Sequence, residues 1–204
     1  MKLHWSPRSP FVRKVMVFAH ETGLAGRLTL VRTVVAMSKP NRELLRDNPL
    51  GKIPTLVTDD VGVLYESAVI CEYLDSLHGG PKLFPSSGPQ RWHALRRHAL
   101  GDGMLDALIL WYNERPKPPA RQTPEWLAGF ALKISTSLDA LEEEAGELAR
   151  APLGIGHVAI GCALGYLDFR FSDLRWRDAR PRSAAWFGEF ARRPSMQATL
   201  PVDG

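Results

Sequence analysis

Residues 2–22, KLHWSPRSPFVRKVMVFAHET, pass from a strand pattern to a helix pattern within a few positions. Residues 2–5 alternate in polarity, and prolines break the alternation over residues 6–10. Apolar side chains then recur at helical spacing until Gly23, which predicts an amphipathic helix that ends there. Because residues 28–35 are rich in β-branched side chains, this part predicts a strand–helix–strand unit with a parallel pair and a right-handed crossover.

The following residues complete one α/β unit. Residues 40–46 predict a short helix, and two strand patterns, residues 55–57 and 61–65, flank a pair of aspartates and predict a hairpin. Apolar side chains at helical spacing over residues 69–77 predict one more helix. The order βαβ-α-ββα is that of an α/β thioredoxin-like domain.

The rest of the chain contains only helix patterns. Long helices are predicted over residues 91–115, 126–148, 155–171 and 184–192. The third is apolar on nearly every side, which is typical of a helix at the centre of a bundle. The sequence therefore predicts a thioredoxin-like domain over residues 1–78, a glycine- and proline-rich linker over 79–89, and an all-α helical C-terminal domain over 90–204.

The composition argues against several classes of function. Of 204 residues, 26 are basic and 22 acidic, and a net charge of +4 is too small and too dispersed to indicate nucleic-acid binding. Aspartates interrupt the densest basic cluster, residues 170–182, which favours a solvated surface over a phosphate-binding patch. No apolar run reaches the length of about 18 residues that spans a membrane. Since residues 1–12 do not resemble a signal peptide, we expect a cytoplasmic protein.

The two cysteines, Cys71 and Cys162, both lie inside apolar periodic stretches. Neither belongs to a C-x-x-C pair or lies at metal-ligand spacing from histidines. They predict buried, unreactive thiols, and we expect no metal site.

Three polar segments stand at the predicted ends of regular elements. They are Ser9-Pro10, Ile53-Pro54 and Glu66-Ser67. Each has an ordinary explanation: a serine caps a helix, a proline opens a strand, and a glutamate favours a first helical turn. If the three ends meet, they form a cradle for a small peptide that carries a thiol and carboxylates.

The predicted position of Ser9 suits a thiolate. A helix N-terminus presents free N–H groups and positive potential, and the serine hydroxyl could donate a hydrogen bond to the sulfur. Lowering a thiol pKa by about two units requires about 2.7 kcal/mol of preferential stabilisation. No His–acid pair in the sequence indicates an activated serine, so Ser9 is predicted to be a donor and not a nucleophile.

The chain resembles the cytosolic glutathione transferase family nearly from end to end. The matching segments are SPRSPFVRKV (6–15), NPLGKIPTL (48–56), YESAVICEYL (65–74) and WFGEFARRPS (186–195). Each segment alone is a weak signal, but their order and spacing are specific. The first segment is most similar to bacterial, serine-type members near the stringent-starvation-like subgroup.

The resemblance implies a role for each polar segment. Ser9 would be the catalytic residue, with Ser6 as the nearby alternative. A cis peptide bond between Ile53 and Pro54 would expose the Ile53 backbone to glutathione, which would pair with it like an added strand.

The resemblance also implies contacts to the two ends of glutathione. Ser67 would hold the γ-glutamyl carboxylate and Glu66 its ammonium group. Lys39 and Lys52 are candidates for binding the glycine carboxylate.

In this family the second substrate binds between the domains, and Pro7 and Trp111 are candidate contacts. The helix over residues 91–115 carries an apolar stripe of Met104, Leu105, Leu108 and Trp111, which we expect in the core. Its polar stripe of Asp102, Asp106 and Asn113 would face the cleft or a partner subunit. The resemblance implies a homodimer.

Two positions at the start of one helix depart from the family pattern. The buried helix of the second domain usually begins with a Ser/Thr-x-x-Asp capping box, whereas this chain has Gly154 and His157 there. We expect the loss of the carboxylate to remove a reciprocal hydrogen bond.

The predicted function is that of a glutathione transferase in detoxification, with glutathione as a co-substrate and no permanently bound cofactor. Its thiolate would attack a small hydrophobic electrophile. Some relatives carry cysteine at the position of Ser9 and exchange disulfides, which a serine cannot do. The alternatives are a non-catalytic glutathione-binding module that acts through protein partners, and a glutathione-dependent reductase or isomerase.

Overall fold

The computed structural model describes residues 1–203, which form two compact units. Residues 1–87 and 194–203 make the first unit, and residues 88–193 make the second. The predicted domain limits, 1–78, 79–89 and 90–204, stay a prediction, and this division differs from them at the C-terminal end.

The first unit is a four-stranded mixed sheet with helices. Its elements are β1 (Lys2–Trp5), α1 (Pro10–Glu21), β2 (Thr29–Arg32), α2 (Leu44–Asp47), β3 (Thr55–Val57), β4 (Val63–Leu64) and α3 (Ser67–Ser76). The strand order is β2-β1-β3-β4, with β1 parallel to β2 and both other pairs antiparallel. The predicted βαβ-α-ββα thioredoxin-like arrangement is confirmed.

Helix α1 begins and ends where the sequence predicts. Ser9 is its N-cap and Pro10 its first residue, where a missing N–H removes no helical bond. Gly23 follows the helix with a φ of +73°, the left-handed conformation that glycine adopts at little cost. Val15 and Phe18 are fully buried, as is Ile70 of α3, against which α1 packs.

Helix α2 is shorter and later than predicted. We predicted a helix over residues 40–46, but it covers Leu44–Asp47. The side chain of Asn41 holds the turn before the helix, because its Oδ1 accepts the N–H groups of Glu43 and Leu44 at 3.0 and 3.1 Å. An asparagine bonded in this way forms a turn of its own, so residues 41–43 lie outside α2, whose N-cap is Glu43.

The C-terminal segment packs on the first unit. A last short helix, α8 (Pro194–Gln197), contacts α1. The Arg13 guanidinium donates to the Met196 carbonyl at 3.2 Å, and the Ser195 hydroxyl donates to the Glu21 carboxylate. Met196 is fully buried. These contacts join residues more than 170 positions apart, which periodicity could not predict.

The second unit is helical, as predicted. It contains α4 (Gly88–Glu114), α5 (Pro124–Arg150), α6 (Ile155–Arg170) and α7 (Pro181–Ala191). Every residue of α6 from Ile155 to Leu167 is buried, which confirms its predicted central position. Cys71 and Cys162 are both buried, as predicted, and no disulfide joins them.

The cationic side chains of residues 170–182 are largely paired. Four ion pairs have N–O distances of 2.5–3.3 Å: Arg175–Asp178, Arg177–Asp168, Arg180–Asp139 and Arg182–Glu142. Carboxylates of the same unit therefore neutralise these four arginines.

The N-terminus of α6 corrects the expectation of a missing reciprocal bond. The backbone N–H of Gly154 donates to Nδ1 of His157 at 3.1 Å, so an imidazole takes the place of the usual carboxylate. Nε2 of the same ring lies 3.0 Å from the Leu148 carbonyl, to which it donates as the neutral Nε2–H tautomer. The ring thus caps α6 and also binds the last turns of α5.

This arrangement predicts a loss of stability in mild acid. Burial lowers the pKa of His157 below its ordinary value of 6.5, although the bond to Leu148 opposes the shift. As pH falls below about 6.5, the unfolded chain takes up a proton here that the folded chain takes up only at lower pH. The free energy of unfolding should therefore decrease through this window.

The measurement compares urea unfolding of the wild type and His157→Gln at pH 7.5 and pH 5.5. Glutamine offers an acceptor and a donor but does not titrate, so the variant should lose less stability over this interval. The remaining five histidines are common to both proteins and cancel in the comparison. Equal losses would show that His157 does not contribute to the pH dependence.

Candidate functional site

The register of the sheet brings the three polar segments to one edge. His4 of β1 pairs with Thr55 of the antiparallel β3, and Leu56 of β3 pairs with Leu64 of β4. The carboxyl end of β1, the amino end of β3 and the carboxyl end of β4 therefore share an edge. Ser9-Pro10, Ile53-Pro54 and Glu66-Ser67 lie just beyond these three ends.

Ser9 combines a capping bond with a partly exposed hydroxyl. Its Oγ accepts the backbone N–H of Val12 at 3.3 Å, and its side chain is half-buried. Since the hydroxyl uses a lone pair in this bond, its proton is available to another acceptor. The alternative, Ser6, is only 7% exposed, and its carbonyl accepts the N–H of Ser9 at 3.3 Å. Ser9 is thus the better presented of the two, and its catalytic role stays a prediction.

The peptide bond between Ile53 and Pro54 is cis, as the resemblance implied. Among residues 1–203, no hydrogen bond uses the backbone N–H or C=O of Ile53. Both groups can therefore pair with an extended ligand at this edge.

Asn48 shapes the loop before Pro54 and was missed by the sequence reasoning. Its amide donates to the Lys52 carbonyl at 3.1 Å and to the Thr55 hydroxyl at 2.9 Å, and its Oδ1 accepts the Leu50 N–H at 2.9 Å. It is 1% exposed, so these bonds form in the protein interior. The turn pattern NPLG was the available signal, since asparagine often bonds backbone groups two residues further along the chain.

Glu66 and Ser67 form the entrance to α3. Glu66 is the exposed N-cap, and Ser67, the first helical residue, is 2% exposed. The Tyr65–Glu66 peptide bond is also cis, which the sequence did not predict. The N–H groups of the first turn lack helical acceptors, so this end is suited to an anion.

The two candidate lysines are exposed. Lys52 directly precedes Ile53 and so lies at the same sheet edge. Lys39 lies in the segment that follows β2, which is parallel to β1 and ends at the same edge. In the described part of the chain, neither lysine forms an ion pair.

The two second-substrate candidates belong to different units. Pro7 is half-buried in the turn between Ser6 and Ser9. Trp111 is 7% exposed, and its ring centroid is 5.0 Å from that of Phe171. The apolar stripe that contains Trp111 is core, as expected. A role in binding an electrophile stays a prediction for both residues.

Within residues 1–203, no group of three or more His, Cys, Asp and Glu side chains is arranged to hold a metal ion. Over the same residues, no helix combines the length and hydrophobicity needed to cross a membrane.

Two family models match the two halves of the chain. Residues 8–77 match the glutathione S-transferase N-terminal domain, and residues 124–189 match the glutathione S-transferase C-terminal domain. The uncharacterized GST-like protein YibF of Escherichia coli K12 is 32% identical over 203 residues, which cover 98% of each chain.

Two solved structures of a glutathione transferase family member from Pseudomonas fluorescens Pf-5 are also similar. The one with bound glutathione is 45% identical, with a TM-score of 0.95 over 99% of each chain. The one with bound S-(propanoic acid)-glutathione is 43% identical, with a TM-score of 0.91 over 100% of each chain. Membership of the stringent-starvation-like subgroup stays a prediction.

Proposed function

Because the chain belongs to the glutathione S-transferase family, we propose that it binds glutathione at the sheet edge of its first unit. The bound glutathione would then be joined, through its thiolate sulfur, to a small apolar electrophile. One observation carries this proposal: the three polar segments meet at one edge, with Ser9 at the N-terminus of a 12-residue helix. The electrophile would be held by apolar side chains, for which Pro7 of the first unit and Trp111 of the second stay separate candidates.

Ser9 would stabilise the glutathione thiolate. An ordinary thiol has a pKa of about 8.5 and is only a few per cent ionised at pH 7. A hydrogen bond to a charged group contributes about 1.5–3 kcal/mol, and a helix N-terminus adds about 0.3–1 kcal/mol. Together they can supply the roughly 2.7 kcal/mol that lowers the pKa by about two units.

The remaining contacts would orient the peptide. The Ile53 backbone would pair with the cysteinyl part of glutathione, and Ser67 and the first turn of α3 would hold the γ-glutamyl carboxylate. Glu66 would accept the ammonium group, and Lys39 and Lys52 would bind the glycine carboxylate. Each charged end of glutathione thus meets a group of opposite charge.

The reaction would be a substitution or an addition at carbon. The thiolate sulfur forms a bond to the electrophilic carbon, and a leaving group departs with its electron pair or an opened epoxide oxygen takes a proton. The Pseudomonas fluorescens neighbour that holds S-(propanoic acid)-glutathione contains a conjugate of this type. Disulfide exchange is disfavoured, because position 9 is serine and both cysteines are fully buried.

We further propose that the protein is a cytoplasmic homodimer.

Glutathione binding and catalysis are tested by titration calorimetry with glutathione, followed by turnover assays on aryl halides, epoxides and peroxides. Saturable binding with turnover on at least one aryl halide or epoxide is the expected result. Binding without turnover on any of them would instead favour a non-catalytic module, and turnover on peroxides alone would favour a reductase.

A further inference from the structure

Residues 33–47 run from the end of β2 to the last residue of α2 and include Lys39. We refer to them as the Lys39 segment. Both ends of the Lys39 segment are bonded to one side chain, that of His4 in β1. Nδ1 of His4 lies 2.9 Å from the Thr33 hydroxyl, and Nε2 lies 2.8 Å from Oδ2 of Asp47. His4 and Thr33 are both buried, so a single imidazole closes the base of the segment.

Other bonds hold the same base in place. Lys2 of β1 donates to Oδ2 of Asp47 at 3.1 Å, and the N–H of Thr33 donates to the Trp5 carbonyl at 2.8 Å. The bonds from His4 and Lys2 lower the pKa of Asp47, which is therefore a carboxylate at neutral pH. Three residues of β1 thus bind the start and the end of the segment: Lys2, His4 and Trp5.

Asn41 closes the Lys39 segment a second time, nearer to its tip. Its amide donates to the Val34 carbonyl at 3.1 Å, while its Oδ1 accepts the N–H groups of Glu43 and Leu44. At the tip, the Lys39 N–H donates to the Ala36 carbonyl at 3.2 Å, and the side chains of residues 36–40 are exposed. The tip has no buried side chain of its own, so its position depends on the two closures beneath it.

We propose that His4 is a positioning residue for substrate recognition, which acts by holding the Lys39 segment so that Lys39 reaches the glycine carboxylate of glutathione. This inference rests on the proposed function, since it requires glutathione at the sheet edge. His4 faces Thr33 and Asp47, so its effect is transmitted through the segment. Its loss should weaken binding of the glycine end and leave the thiolate chemistry at Ser9 intact.

The test compares glutathione with γ-glutamylcysteine, which lacks the glycine. The wild type should prefer glutathione in kcat/KM, and Asp47→Asn and His4→Gln should each reduce this preference about three- to fivefold, the scale of one exposed ion pair. The reduction should appear in KM for glutathione, with kcat at saturation retained. Lys39→Ala should reduce the preference equally, and combining it with Asp47→Asn should add nothing further.

Asp60→Asn is the matched control. Asp60 is also a hydrogen-bonded carboxylate of the first unit, bonded by the Tyr73 hydroxyl at 2.8 and 2.9 Å, but it lies in the β3–β4 turn. This variant should keep the full preference for glutathione. Because His4 is buried and its replacement could unfold the unit, the partly exposed Asp47 provides the second variant.

The outcomes separate the two proposals. If the wild type binds no glutathione, the proposed function fails and this inference fails with it. If the wild type prefers glutathione and folded Asp47→Asn keeps that preference, only the positioning role of His4 is overturned. A uniform fall in kcat for both peptides would also overturn it, because that pattern indicates general destabilisation.

Discussion

Replacing Ser9 with alanine should lower the turnover of bound glutathione about tenfold at pH 7, while glutathione affinity changes by only a few-fold. The variant loses the hydroxyl that donates to the thiolate, a bond of about 1.5–3 kcal/mol or roughly one to two pKa units, and keeps the helix N-terminus. Raising the thiol pKa from about 6.5 to about 8 lowers the ionised fraction at pH 7 about tenfold. Glutathione keeps its backbone pairing at Ile53 and its contacts at Ser67, so its binding should persist. The thiolate absorbance of the bound peptide, titrated against pH, should move to higher pH.

Ser6→Ala is the control for this experiment. Ser6 lies three residues away in the same turn but is buried, so its replacement should leave the thiolate titration in place. Ser9 also caps α1, and its replacement should lower stability by about 1 kcal/mol, which thermal unfolding would register separately. An unchanged thiolate titration in Ser9→Ala, or a shifted one in Ser6→Ala, would refute the role given to Ser9.

The sequence predicted the elements of the sheet edge because their signals are local. Alternation over residues 2–5, helical spacing after Pro10 and the glycine at position 23 each involve a few neighbours. The meeting of the three polar segments followed once the strand order was known. The cis bond at Pro54 needed the family resemblance, since only about 5–6% of X–Pro bonds in folded proteins are cis.

The features that the sequence did not predict depend on partners far away in the chain, or on a side chain that does the work of a different one. Helix α8 packs on α1 through Arg13 and Met196, which lie 183 positions apart. Asn48 and Asn41 set the loops around the site with side-chain bonds to backbone groups, and such bonds leave no periodic signal. At Gly154, the expected loss was wrong because imidazole nitrogen accepts the same hydrogen bond as a carboxylate oxygen.

Replacing Gly101 with alanine should destabilise the second unit by about 3 kcal/mol, the upper part of the range for overpacked cores. Gly101 lies where α4 packs most extensively, against α6. A Cβ atom there would lie 2.6 Å from the Ala159 carbonyl carbon and 2.8 Å from the Ile160 nitrogen. Both atoms are backbone in the buried part of α6, so no side-chain rotation relieves the contact, and the two helices must separate. Such a change should lower the melting temperature by about 6–12 °C.

Gly103→Ala is the matched control, two residues away in the same helix. A Cβ at Gly103 has no neighbour within 4 Å, so this variant should gain up to about 1 kcal/mol of helix propensity. Because both variants make the same chemical change in α4, the propensity gain cancels, and the difference between them isolates the contact with α6.

Gly156 provides an independent check from the α6 side of the contact, since its added Cβ would lie 2.6 Å from Cβ of Arg97 in α4. Equal melting temperatures for Gly101→Ala and Gly103→Ala would mean that α4 and α6 separate at little cost. A large difference would establish that α4 requires glycine where Gly101 packs against α6, and that the buried helix depends on this contact as well as on its cap at His157.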